Sequence, residues 1–213
     1  MSVNIYNGTE TGFSNYHAFG LELECSGANV SRTTSRLSRD GVIGTRNEHE
    51  AGQVDCETVL APLAAGPRAQ EYIQQVLTSI RAAGGDGATG CGMHVHVSNA
   101  PIVGVTDADS ADAFTTRSIE HTERTGRVIF QDHPELLGDP MLANECGDIL
   151  YRYTQQQNAI NGMHPASRTN NAMCRAIRMA PLNSAIATLS ADQVRINALA
   201  NATNGKFSTI NLQ

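Results

Sequence analysis

The sequence predicts an α+β domain, because three short segments have strand periodicity and several helical segments follow no regular order between them. Apolar side chains occupy every second position from 19 to 25, which is the period of a strand with one buried face. The two other strand segments lie at residues 53–60 and 91–98. Since no βαβ rhythm connects these elements, we expect a curved, mostly antiparallel sheet that is backed by helices.

The first half of the chain is predicted to contain two strands separated by a polar segment. The first strand covers residues 17–26. The segment 27–51 is rich in Ser, Thr, Arg and Gly, and it predicts a loop or a weak hairpin around Asp40 and Gly41. The second strand ends before Pro62.

Two helices flank the third predicted strand. Pro67 stands at the tolerated first-turn position of the first helix, and the glycines at 84–85 end it. Its apolar stripe consists of Ile73, Val76, Leu77 and Ile80. The second helix is predicted to begin with Asp109 or Ser110 as its N-cap and to run to about Phe130.

The last third of the chain has further helical patterns and one strand pattern. Helices are predicted at residues 142–158, at residues 190–200 and in the stretch before Pro181, and a short strand at residues 206–212. A chain of 213 residues has the length of one domain, so we expect residues 1–213 to form a single domain.

Composition and charge argue against several classes of protein. The net charge of -6 opposes general affinity for nucleic acid or anionic lipid, although it is compatible with a local basic pocket. No apolar run approaches the ~20 residues of a membrane-spanning helix, and residues 1–6 lack the features of a signal peptide. The five cysteines are dispersed without a CxxC pair, which favours reduced thiols and a cytoplasmic location.

Ionisable side chains share one face on each of two predicted strands. Glu22 and Glu24 are two residues apart, as are His94 and His96, so each pair points the same way. Adjacent carboxylates repel unless a cation lies between them, and imidazole can ligate a metal or donate to phosphate. Each pair also fits the solvated face of a half-buried strand, and Glu57 alone is an ordinary strand carboxylate. The other histidines are interpreted as surface or loop residues: His17, His49, His121, His133 and His164.

Five short motifs lie in a characteristic order along the chain. Residues 19–24 (FGLELE), 57–63 (ETVLAPL) and 91–98 (CGMHVHVS) are similar to the patterns FGxExE, E-(I/L)-V-S-P-x-L and CGxHVHV. Residues 168–174 (RTNNAMC) and 206–212 (KFSTINL) are similar to R-x-x-N-x-Y-C and (R/K)-Y-x-x-(L/V)-N-L. From about residue 17 to its last residue, the chain therefore resembles the amidoligase family of glutamine-synthetase-like carboxylate–amine ligases.

The resemblance implies a glutamine-synthetase-like sheet and a reaction in which ATP phosphorylates a carboxylate before an amine displaces the phosphate. It implies that the following residues are Mg²⁺ ligands: Glu22, Glu24, Glu57 and His94. It implies catalytic roles for Glu24, Glu57 and Arg168. It implies contacts with ATP or with the substrate carboxylate for His96, Arg168, Lys206 and Asn211. The substrates would be an amino acid, peptide or protein carboxylate and an amine, without nucleic acid or membrane.

The differences from the family pattern include two substitutions and a missing segment. Ala61 stands in place of a serine, Phe207 replaces a tyrosine, and the chain stops at Gln213, where family members continue into a strand of the E-(F/Y)-R type. We therefore expect this last strand to be missing. The chain would then be a minimal ligase, a ligase completed by another subunit or partner chain, or a pseudoenzyme with a structural role.

Two other functions remain open on the sequence. The first is a non-catalytic structural or assembly protein with the same fold, such as a component of a phage or another multi-protein particle, which would associate it with a virion. The second is a zinc-dependent hydrolase that uses His94, His96 and a carboxylate.

Overall fold

The described part of the chain is an antiparallel sheet with α-helices, which confirms the α+β class. The computed structural model describes residues 16–49, 54–87 and 91–139, and all of these lie in one compact unit that ends at Pro140. The strands are β1 (His17–Cys25), β2 (Thr45–Glu48), β3 (Cys56–Leu60), β4 (Leu63–Ala64) and β5 (Met93–Pro101). The helices are α1 (Val30–Arg39), α2 (Pro67–Ala82), α3 (Ala108–Thr125) and α4 (Ile129–Asp132), followed by a 3-10 turn at Pro134–Leu136.

Strand β1 is the centre of the sheet. Phe19 pairs with Leu63 of β4 and with Val97 of β5, so β4 and β5 lie along opposite edges of β1. Glu22 pairs with Val59 of β3 and with a residue of β5, which places β3 on the same edge as β4. Strand β2 pairs with β3 on its far side, and every pairing is antiparallel. All three predicted strands are therefore present in one sheet.

The main core lies between one face of the sheet and helices α1 and α2. Its large apolar members include Leu21, Leu23, Leu37, Leu60, Leu63, Tyr72, Val76 and Ile80. The phenol of Tyr72 donates to the carbonyl oxygens of Ile43 and Gly44 at 2.8 and 3.0 Å, which ties α2 to the segment before β2. Leu77, predicted to belong to the apolar stripe of α2, is 39% exposed, and Tyr72 is buried instead.

A smaller apolar cluster lies where β4, α3 and α4 meet. It consists of Ala18, Ala64, Ile102, Val105, Ala111, Phe114 and Ile129. The rings of Phe114 and Phe130 stack with their centroids 5.7 Å apart. The hydroxyl of Thr115 accepts a hydrogen bond from the backbone N–H of Ala64 at 3.1 Å, so α3 is fastened to β4 by a polar contact as well.

The prediction of a loop or hairpin over residues 27–51 is wrong, because this segment contains α1 and β2. The side chain of Asn29 accepts a hydrogen bond from the backbone N–H of Arg32 at 3.0 Å and caps α1. Only Thr33 and Leu37 of this helix are buried. A buried face with a single large apolar residue leaves no apolar period for the sequence to display.

The predicted bounds of α3 are also wrong. Asp107 is the N-cap of α3, and its side chain forms a reciprocal capping box with Ser110, which is therefore the third residue of the helix. Gly126 ends α3 with φ +68°, in the left-handed region that favours glycine. The apolar residues beyond it form the separate helix α4. His121, expected at the surface, is buried in α3 with Nε2 3.1 Å from Oδ2 of Asp132.

The predicted elements at residues 142–158, 190–200 and 206–212 lie outside the described residues, as does the helical stretch before Pro181. The prediction of a single domain over residues 1–213 extends into the same part of the chain, and it stays a prediction.

Two glycines in the connection between α1 and β2 give a matched test of this fold. Gly41 and Gly44 both have φ +71°, but a Cβ on Gly41 would meet no atom within 4 Å, whereas one on Gly44 would lie 2.7 Å from the carbonyl oxygen of Ile119. We expect Gly41→Ala to cost about 1–2 kcal/mol of unfolding free energy from left-handed strain alone. Gly44→Ala should cost about 1–3 kcal/mol more because of the clash. Urea denaturation measures both, and equal losses would contradict the packing of α3 against this turn.

Candidate active site

Strand register brings the predicted carboxylates and histidines to one face of the sheet. Glu22 of β1 stands opposite His94 of β5. Glu24 stands opposite Glu57 of β3. Directly paired residues project to the same side of a sheet, so these four side chains form one group across three adjacent strands. His96, two residues from His94, projects to this side as well.

Two histidine rings contact the carboxylates of β1. Nδ1 of His94 lies 2.9 Å from Oε2 of Glu22, and Nε2 of the same ring lies 3.6 Å from Oε1 of Glu24. Nε2 of His96 lies 3.1 Å from Oε1 of Glu22. The two oxygens of Glu22 are therefore each engaged by a different imidazole. Glu24 is more enclosed than Glu22, since their side chains are 10% and 27% exposed.

Three of these side chains have the arrangement of metal ligands. Glu22, Glu57 and His94 each offer one ligand atom, and all three atoms lie within 4.8 Å of one another. Ligands on opposite sides of an ion at 2.0–2.1 Å would be separated by about 4.2 Å, so small side-chain movements bring these atoms to bonding distance. Carboxylate oxygens suit Mg²⁺ or Mn²⁺, and the imidazole also suits zinc. The residues present therefore fit a divalent cation.

The electrostatics of Glu22 reflect two opposing effects. Burial alone would raise its pKa, but the hydrogen bonds and positive charges of His94 and His96 outweigh burial and hold the pKa below its ordinary value. A carboxyl whose pKa is lower in the folded than in the unfolded chain stabilises the fold above its unfolded pKa. That contribution is lost as the pH falls through the lowered pKa. In the metal-free protein, ionised Glu22 therefore contributes to the stability of the fold.

A glycine next to the histidines leaves space for the carboxylate of Glu24. A Cβ on Gly92 would lie 3.0 Å from Oε2 of Glu24 and 3.5 Å from Nε2 of His94. The backbone carbonyl of Gly92 also accepts a hydrogen bond from the N–H of Glu24 at 3.0 Å. A side chain at position 92 would therefore require the carboxylate of Glu24 to shift by a few tenths of an ångström, a contact that sequence reasoning did not predict.

The polar face extends to β2, where sequence reasoning found no site residue. Glu48 stands opposite Glu57, and Arg46 stands opposite Val59. The guanidinium of Arg46 and the carboxylate of Glu48 are 3.2 Å apart. These residues were missed because the segment was interpreted as a loop. Thr45–Glu48 has the sequence TRNE, which is polar throughout, so no alternation of apolar and polar residues marks it as a strand.

Three residues implied by the resemblance lie outside the described part of the chain: Arg168, Lys206 and Asn211. Their placement relative to the carboxylates and histidines stays a prediction.

No family model, curated protein or solved structure matches this chain. Among the described residues, no helix combines the length and the apolar character needed to cross a membrane.

The histidine contacts can be tested by titrating Glu22 in the metal-free protein. In a His94→Ala/His96→Ala variant, the interactions that lower the pKa of Glu22 are lost. We therefore expect its pKa to rise from the parent value, which lies below the ordinary value. Carbon-13 NMR of the glutamate carboxyl groups measures both. His133→Ala is the matched control, because His133 contacts Glu135 instead. An unchanged Glu22 titration in the double variant would contradict the two contacts.

Proposed function

We propose that this protein is an ATP- and Mg²⁺-dependent carboxylate–amine ligase of the amidoligase type. The observation that carries the proposal is the common face of Glu22, Glu24, Glu57 and His94. These residues come from three separate motifs whose order resembles that family, and the strand register joins them. Ligand atoms of Glu22, Glu57 and His94 lie within 4.8 Å of one another, which supports a cation site on this face.

In the proposed reaction, an oxygen of the substrate carboxylate attacks the γ-phosphorus of ATP, and ADP leaves. The nitrogen of the amine then attacks the carbonyl carbon of the acyl phosphate and loses a proton, and inorganic phosphate leaves as the amide forms. Glu24 and Glu57 would exert their proposed catalytic roles through the Mg²⁺ that they hold, and the proton would pass to water. Mg²⁺ would neutralise charge on the transferring phosphoryl group.

We assign different roles to the residues of the sheet. Glu22, Glu57 and His94 would hold Mg²⁺, and the enclosed carboxylate of Glu24 would complete the set. The ring of His96 is 66% exposed, so it is accessible to a phosphate of the nucleotide. The resemblance adds Arg168 as a bidentate clamp for an oxyanion, together with Lys206 and Asn211.

A second candidate function is a non-catalytic assembly protein built on the same fold. It is favoured by an exposed apolar strip on β5, on the face opposite the histidines. Met93, Val95 and Val97 are 58%, 54% and 63% exposed. Contiguous apolar side chains at a surface are typical of protein interfaces. This candidate predicts self-association or assembly without binding of nucleotide.

Thermal unfolding with and without Mg²⁺-ATP tests the ligase proposal. A ligand at 100 times its dissociation constant stabilises the folded state by about 2.7 kcal/mol, so the melting temperature of the parent should rise by several degrees. Glu22→Gln and Glu24→Gln should abolish the rise, because each removes a charge that the cation needs. Glu120→Gln is the matched control, since Glu120 is an exposed residue of α3.

The pattern of the shifts separates the candidates. A shift that persists in both site variants would contradict the ligase proposal. No shift in the parent, together with concentration-dependent association measured by light scattering, would favour the assembly protein.

A further inference from the structure

A basic groove lies on the helical side of the sheet, away from the carboxylates and histidines. It has a volume of about 610 Å³ and is formed by α1 and the end of α2. Its polar lining comes from three arginines, two serines and the residue that caps α1: Arg32, Arg36, Arg39, Ser31, Ser35 and Asn29. The side chains at 32, 35, 36 and 39 follow helical spacing, so they lie along one side of α1.

The groove is positively charged in a chain whose net charge is -6. Helix α1 carries three arginines and no acidic residue. Only Arg36 is in an ion pair, with its Nε 2.7 Å from Oδ2 of Asp40. That carboxylate also accepts a hydrogen bond from the hydroxyl of Ser79 at 2.7 Å. Arg32 and Arg39 are exposed and have no ion pair with any residue in the described ranges.

Arg32 is placed by two helix ends. It stands in the first turn of α1, where the helix dipole favours negative groups. Its guanidinium lies against the turn that ends α2, since a Cβ on Gly84 would be 3.3 Å from Nη2. Gly84 has φ +90° and therefore suits glycine for both its backbone and this contact. The C-terminal end of α2 favours the positive charge, so the fold itself holds the guanidinium beside the groove.

We propose that this groove binds a small polyanion that carries several linked phosphate groups. Arg32 and Arg39 are seven residues apart, which is about 10.5 Å along the helix axis, so the groove offers guanidinium groups at two points along an extended anion. Their planar guanidinium groups can each hold an oxyanion with two hydrogen bonds. The hydroxyl of Ser35 adds a donor between them, and the hydroxyl of Ser31 adds one at the start of the helix. The volume is within the range of small-molecule sites, while the overall negative charge opposes a long nucleic acid.

Binding of inorganic tripolyphosphate to the full chain, measured by calorimetry without Mg²⁺, tests this proposal. Arg32→Gln/Arg39→Gln should weaken binding at least tenfold. Because both side chains are exposed and the Arg36–Asp40 pair is kept, the melting temperature should change little. Arg81→Gln is the matched control, since Arg81 is exposed on α2 but does not line the groove. Ser35→Glu gives a second test by placing a negative charge between the two arginines, and it should weaken binding to a similar extent.

Several results of these measurements would overturn the proposal. Absence of binding to the parent excludes the site, and equal weakening by Arg81→Gln would indicate diffuse attraction to positive charge. A twelve-nucleotide RNA that binds more tightly than tripolyphosphate, and is lost in the same double variant, would assign the groove to nucleic acid. Glu22→Gln should retain tripolyphosphate binding, because Glu22 is on the other side of the sheet. Tighter binding in that variant would mean that tripolyphosphate occupies the carboxylate face, because the substitution removes a charge that repels the anion.

Discussion

The two-residue period of β1 is the constraint on which the rest of the structure depends, because it divides consecutive side chains between opposite environments. Leu21 and Leu23 are 6% and 7% exposed and fix the face that turns to the helices. Glu22 and Glu24 must then project to the other face. A shift in pairing by one residue would exchange the two sets and place carboxylates in the apolar core. Burial of leucines thus determines the position of the acidic residues, without any contribution from interactions among those residues.

The same burial holds together side chains that repel one another. Glu24 and Glu57 are directly paired across β1 and β3, a position in which like charges destabilise a sheet. The side chain of Glu24 is only 10% exposed, so water screens this repulsion incompletely. His94 approaches Glu24 no closer than 3.6 Å, which offers partial compensation. The divalent cation of the proposed function would reduce this repulsion further.

The periodicity of apolar residues was sufficient to predict elements with a regular apolar buried face, such as β1. It was insufficient to predict α1, whose buried face is partly polar. The alternation around Leu21 and Leu23 predicted β1 and the common direction of its two glutamates. Helix α1 was missed because Thr33 supplies half of its buried face. The joining of Glu24 to Glu57 required a register between strands more than thirty residues apart, and the sequence supplied it only through the resemblance of its motifs. The contact between Gly92 and Glu24 needs coordinates, because close approach leaves no trace in residue type beyond the glycine itself.

The two proposed sites, on opposite sides of the sheet, favour different forms of a polyphosphate. A polyphosphate without a cation is repelled by the carboxylates of Glu22, Glu24 and Glu57, but it is attracted by Arg32 and Arg39 on the helical side. Binding of Mg²⁺ reverses the preference, because the cation cancels charge on the phosphates and gains the carboxylates as ligands. Under the two proposals, the metal concentration would decide which side a polyphosphate occupies. The carboxylate face would bind the metal complex, and the arginine groove would bind the free anion.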